Sequence, residues 1–231
     1  MKNLLLVSFI LFFVCFGFSQ SKNQGSSMYS NFDKTVGTFN TKLSYGVFFE
    51  EKFRKRIKNN HNCFLSDVFQ KGNIHYRGED FFNAELKYDI VNDIIIARIT
   101  NQEQKLSIIL EKNLIDHFQI HNHNFVNTFP QKYGFLEKIA VFDNFSVLKK
   151  HQKSVEKNTN ENYVYHTFEK EVDEFYLYYN NQYFPIESRK DFIKIFPEKR
   201  KQITSFFNDN SSLKKNNYKT FIIELMNQLE N

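Results

Sequence analysis

The feature that most constrains this chain is the run from residue 82 to 90. There Phe82, Ala84, Leu86, Tyr88 and Ile90 alternate with Asn83, Glu85, Lys87 and Asp89. A period of two puts the first set on one face of a strand and the second set in water. Asn92-Asp93 then offers turn chemistry, and Ile94–Ile99 is a β-branched run suited to a second strand. The pattern repeats: a turn over Gln102–Lys105, strands over Leu106–Leu110 and Ile115–Ile120, and Phe135–Phe142 and Phe145–Lys149 on either side of Asp143-Asn144. Further strands are expected at Tyr163–Phe168 and Phe175–Tyr179, the latter turning through Asn180-Asn181 into Gln182–Phe184. Short strands joined by tight turns make an antiparallel meander. Two connections read differently: Glu50 to Asn60 as a short helix, and the polar stretch His151–Asn162 as a loop.

Near the C-terminus the period changes. Ser188 and Asp191 have capping-box spacing and open a short helix bearing Phe192, Ile195 and Phe196. Pro197 suits the first turn of a second helix, whose Ile203, Phe206 and Phe207 share a face. After Asn208–Ser212 a last helix carries Tyr218, Phe221, Ile222, Leu225 and Leu229 on one stripe, expected to pack on the sheet or the preceding helix. The predicted class is therefore α+β: an antiparallel β-meander, as a curved sheet or partly closed barrel, followed by C-terminal helices.

The N-terminus predicts export. Lys2 precedes an uncharged apolar run from Leu4 to Phe18, and Gly17 and Ser19 are the small residues of a cleavage site before Gln20. The run is short for a membrane span, which takes about 20 apolar residues. Cys15 is a poor lipoprotein acceptor, because Phe12-Phe13-Val14 stands before it where a small residue is usual. The expected organisation is a signal peptide over 1–19, a flexible tail over 20–44, and one β-rich domain over 45–231 with helices from 186. No transmembrane segment is expected in the mature chain; peripheral attachment to a membrane is compatible with it. Cleavage leaves Cys63 as the sole cysteine, so no internal disulfide can form. Cys63 stands near His61, the pairing a thiol nucleophile needs, but beside Phe64 and Leu65 a buried apolar role is expected.

A net charge of +5 is not concentrated. The densest basic cluster, Lys52 to Lys58, follows Glu50-Glu51 directly, which argues for a solvated face and against nucleic acid as a partner. With 7 Gly, phosphate-cradling loops have little material. The chain has 28 Phe, 12 Tyr and no Trp while Ala is scarce, the drift that AT-rich codons produce; rings on alternating strand faces are expected to pack.

The candidate metal ligands are His117, His121 and His123. Extended backbone would turn them to one side, and imidazoles are good Zn ligands. Against that, His121–Asn124 resembles a hairpin turn that scatters ligand directions, so solvent-exposed turn residues are expected. Asp89, Asn92 and Asp93 could gather round a cation, but these residue types also stabilise the turn they sit in. The run Phe175-Tyr176-Leu177-Tyr178-Tyr179 with Tyr183 offers rings for stacking on a sugar, but alternation puts Tyr176 and Tyr178 on one face and Phe175, Leu177 and Tyr179 on the other, so core and ordinary strand surface are expected. No nucleophile-elbow, zincin or P-loop motif occurs, so no catalytic residue and no cofactor are assigned.

The succession His61, Phe64-Leu65, Asp67, Phe69, Gly72-Asn73-Ile74, Tyr76, Gly78, Asn83, Leu86, Tyr88-Asp89, Asp93 and Ile95 resembles a family of uncharacterised exported proteins of the Bacteroidota. Phe118, Phe125, Phe135-Leu136-Glu137, Leu148, Tyr176-Leu177, Tyr183, Ile186, Ser188 and Lys190 extend it, so the resemblance covers about residues 45–210. Asn62-Cys63 departs from it, standing where the family more often has Pro and an aromatic. The resemblance implies an envelope protein of a Gram-negative bacterium and carries over no catalytic residue. The leading expectation is an exported, non-enzymatic binding or interaction module in the periplasm or at the outer membrane, with secretion as the alternative location, its partner an envelope protein or small ligand. The alternatives are a β-barrel-like binder of a small apolar or sugar ligand, and an enzyme with a dispersed site.

Overall fold

The computed structural model describes residues 37–57, 59–100 and 104–230. The signal peptide, most of the expected tail and half of the Gln102–Lys105 turn lie outside the described residues. From Gly37 the chain already belongs to the fold: two 3-10 turns place Leu43 in the core, where it is 1% exposed.

The strands are β1 (Gly46–Phe48), β2 (Gln70–Tyr76), β3 (Glu79–Asp89), β4 (Ile94–Thr100), β5 (Lys105–Leu110), β6 (Ile115–Ile120) and β7 (His123–Asn127). They continue with β8 (Phe135–Val141), β9 (Phe145–Gln152), β10 (Val155–Thr159), β11 (Val164–Phe168), β12 (Val172–Tyr179) and β13 (Gln182–Pro185). Eleven of them form one antiparallel sheet in the order β1-β5-β4-β3-β2-β6-β7-β8-β9-β12-β13, with β10 and β11 as a separate hairpin. The sheet is curved but not closed into a barrel. Its concave interior is filled: Tyr76, Tyr88, Phe118, Phe125 and Phe135 are all at most 1% exposed.

The expected alternation holds in β3 from Ala84 to Tyr88, fails at Asp89, which is buried where water is expected, and breaks before Ala84. Gly72 pairs with Ala84 but Ile74 with Phe81, so two residues of β3, Phe82 and Asn83, oppose Asn73. Asn83 absorbs this bulge with φ +56 and donates its backbone N–H to the Asn73 side chain. The extra residue reverses the phase, so Phe81 rather than Phe82 enters the core. Two other expectations fail. Residues 50–57 and 59–60 are not helical, because Phe53 leaves to pack edge-on against His166 and Phe168 while Arg54 and Lys55 join the β11 backbone. The stretch 151–162 is not a loop: His151 and Gln152 finish β9, and β10 pairs with β11 from Val155↔Phe168 to Thr159↔Val164.

The helices are α1 (Arg189–Ile195), α2 (Arg200–Asp209), α3 (Ser211–Asn216) and α4 (Tyr218–Glu230). The Asp191 carboxylate accepts from the Ser188 backbone N–H at 2.8 Å and its hydroxyl at 2.9 Å, fixing the start of α1. The stripe of α4 packs as expected, with Phe221 against Phe206 and Phe207 and Tyr218 edge-on to Phe175 of β12. The helices thus make a second core with Phe145, Val147, Phe175 and Leu177, separate from the one inside the curve. No helix among the described residues is long and apolar enough to cross a membrane.

Candidate functional site

Between the two cores the inward face of β8 and β9 becomes polar. Phe145, Val147, Lys149 and His151 follow one another at period two along β9; the first two belong to the helical core, while His151 meets the rings of the curved core. Register places Glu137 of β8 between Phe125 of β7 and Lys149 of β9. A chain of ionisable groups results. Glu137 Oε1 lies 2.6 Å from His123 Nδ1, and its Oε2 lies 2.6 Å from His151 Nε2. The other nitrogen of His151 bonds Glu171, just before β12. His151 and Glu137 are 3% and 6% exposed, and the ring of Phe64 stands edge-on to both His151 and His123.

This enclosure shifts the groups in opposite directions. Burial opposes the Glu137 carboxylate, but the bonds from His151 and His123 outweigh it and bring its pKa down to about 2. Burial likewise opposes a charged His151, yet Glu137 and Glu171 together raise its pKa above the usual imidazole value. Glu171 is held low, against burial, by His151 and Lys149. Both His151 nitrogens face carboxylates, so the ring sits as a clamped donor with neither nitrogen open to a substrate proton.

A second buried cluster ties the β3–β4 turn to β9, strands separated in the sheet by β2, β6, β7 and β8. Asp93 receives Lys150 at 2.5 Å, the Tyr88 hydroxyl at 2.6 Å, and Lys112. Burial works against the Asp93 carboxylate, and Lys150 and Lys112 outweigh it, so its pKa lies below the usual range. Lys150 is also lowered: for it burial dominates, and the nearby Lys112 offsets part of the attraction of Asp93 and, more weakly, Glu174. Gly134 makes room for this cluster, since a Cβ there would stand 1.8 Å from Asp93 Oδ2.

The three candidate histidines do not converge. His117 pairs with Val126 and His75 and stacks on the His75 ring, on the outer side of the sheet. His121 occupies the β6–β7 turn with φ +52. His123 pairs with Ile120, and therefore shares the core side with Phe118 and Phe125. The tight turn reverses the chain and divides the histidines between the two faces. Of Asp89, Asn92 and Asp93 the first two stay together and the third leaves: Asp89 accepts from the N–H groups of Val91 and Asn92 and from the Asn92 side chain at 2.7 Å, whereas Asp93 crosses to the lysines. Cys63 is a buried free thiol, and burial pushes its pKa up to about 12. His61 Nδ1 accepts the Cys63 backbone N–H, so it does not serve the thiol. Tyr176 and Tyr178 do occupy one face, packed with Tyr133 and Tyr183 over Leu136 and Leu148.

The His123–Glu137–His151–Glu171 chain was missed in the sequence because His151 fell in the polar stretch read as a loop. Extending the β9 alternation from Lys149 to His151 is the signal that finds it.

No protein-family model matches this chain, and neither does any curated protein or solved structure.

Proposed function

We propose that the chain is an exported, non-enzymatic interaction module of the cell envelope, whose β1 edge takes an extended apolar segment of a partner protein. The observation that carries this is the unfinished edge at β1. Phe48 pairs with the buried core residue Ile108, yet is itself 67% exposed, and Val47 is 66% exposed on the opposite face. Tyr45 and Phe39 nearby are also largely exposed. β1 is terminal in the sheet order, so the hydrophobic layer stops without a covering strand among the described residues. An edge with free backbone groups and apolar side chains is a template for strand addition. The other edge, β13, carries Pro185, which lacks the backbone N–H that an added strand would need.

Two further points favour binding at the edge over the alternatives. A ligand inside the curve would have to displace Tyr76, Tyr88, Phe118 and Phe125, while the edge is already open. The buried histidine chain has its nitrogens engaged by carboxylates, which suits a structural clamp better than acid–base turnover. The export reading of residues 1–19 and the resemblance to exported proteins support the location.

The test is affinity purification of the mature chain from native envelopes after mild cross-linking, beside a Val47→Lys/Phe48→Lys double variant whose circular dichroism and melting temperature are checked. A partner recovered by the wild type and lost from the folded double variant is expected. Equal recovery by both, or no partner with either, overturns the proposal.

A further inference from the structure

The base of β12 brings three metal-type donors to one point. His151 and Asp173 are directly opposed in the β9–β12 ladder, so their side chains leave the same face. Glu171 lies two residues before Asp173, and its carboxylate reaches the same place. The His151 nitrogen and the two carboxylate oxygens all lie within 4.8 Å of one another. Behind them, His151 Nε2 is held at 2.6 Å by Glu137, which His123 fixes in turn. A histidine that turns one nitrogen to a metal commonly donates the other to a carboxylate, which sets the ring's tautomer and orientation. That supporting layer is built and buried here, while Glu171 and Asp173 keep side-chain exposures of 29% and 40%. The position also attracts a cation already: the Lys149 ammonium stands 2.8 Å from Asp173 and 3.8 Å from Glu171.

We infer that His151 Nδ1, Glu171 and Asp173 form a site for a divalent transition-metal ion of the Zn²⁺ type, with Glu137 orienting the histidine. One imidazole and two carboxylates suit Zn²⁺ and leave a coordination position for water. Binding displaces the proton from Nδ1 and moves the Lys149 ammonium aside. The ion then clips the end of β9 to the start of β12, beside the hairpin of β10 and β11. It shares no residue with the β1 edge, so it stands or falls independently of the partner proposal.

The experiment titrates ZnCl₂ into untagged, chelator-stripped mature protein in competition with a chromogenic chelator of micromolar affinity. One equivalent taken up, with a rise in melting temperature, is expected for the wild type. Asp173→Asn, a change at an exposed side chain that keeps the fold testable, should abolish competition with the chelator. Glu137→Gln should weaken binding by about 10–100-fold, the usual effect of losing a carboxylate behind a ligating histidine. Lys149→Met should strengthen it by removing the competing ammonium, and His117→Ala and His121→Ala should leave it unchanged. No stoichiometric uptake by the wild type overturns the inference. So does uptake that Asp173→Asn leaves intact.

Discussion

Replacing Asp93 by Ala tests how the curved sheet is fastened. The carboxylate is 18% exposed and joins the β3–β4 turn to β9 through Lys150, whose side chain is 9% exposed. It also accepts from the Tyr88 hydroxyl, which belongs to a residue 1% exposed. Removing it strands a buried ammonium and a buried hydroxyl together. Breaking a buried ion pair from one side costs about 3–5 kcal/mol. An orphaned buried donor costs about 1–3 kcal/mol more, though such contributions do not simply add. Two features hold the total toward the lower end: Lys150 keeps a contact with the Phe135 carbonyl at 3.4 Å, and Lys112 is 37% exposed and returns to water. The expected loss is therefore about 3–4 kcal/mol. Urea unfolding of the mature chain, followed by circular dichroism, measures it. Lys112→Ala is the companion measurement and should cost less than about 1 kcal/mol, as exposed pairs do. Asp93→Asn combined with Lys150→Met should recover much of the loss, since the uncompensated charge is gone. A loss below about 1 kcal/mol for Asp93→Ala would refute the fastening role. A double variant as unstable as the sum of its parts would refute the reasoning about the stranded charge.

The same carboxylate sets an acid limit. Its folded pKa is depressed, so its stabilisation is full above the unfolded value near 3.9 and is lost as pH falls through the folded value. Wild-type stability should then fall more steeply below about pH 4 than that of Asp93→Asn, read from unfolding midpoints across an acid series. Gly134→Ala should destabilise by more than about 1 kcal/mol, because alanine is strained at φ +73 and its Cβ would enter the Asp93 cluster; a neutral result would mean that the loop shifts freely. Cys63, with a thiol pKa near 12 and 1% exposure, should resist iodoacetamide at pH 8 in the folded protein and react on unfolding, as mass spectrometry would show. Rapid native alkylation would contradict that burial.

Local pattern made much of the fold legible. The strands at Ile94–Thr100 and Ile115–Ile120, the turn at Asn180-Asn181, and the stripe of α4 all announce themselves by period and turn chemistry. The strands that went unread are those whose partners lie far off in sequence or whose own pattern is short and polar: β1 pairs with β5, and β10 is nearly all exposed. The candidate metal site suffers the same difficulty in sharper form. His151 and Asp173 sit on strands that flank an inserted hairpin, and no local spacing relates them until the ladder sets them opposite.

The sequence by itself determined the class of element at most positions, the buried face of most strands, and the burial of Cys63, although its thiol meets the Asn62 and Asp67 side chains and not an apolar pocket. Tertiary structure decided which side each histidine faces, since a single tight turn sends His117 outward and His123 inward. It also decided that Asp93 crosses the curved sheet to two lysines and leaves its own turn to Asp89. The physical reason is range. Periodicity and turn chemistry act over a few residues, whereas a buried charge takes its partner from whichever strands the curvature brings together.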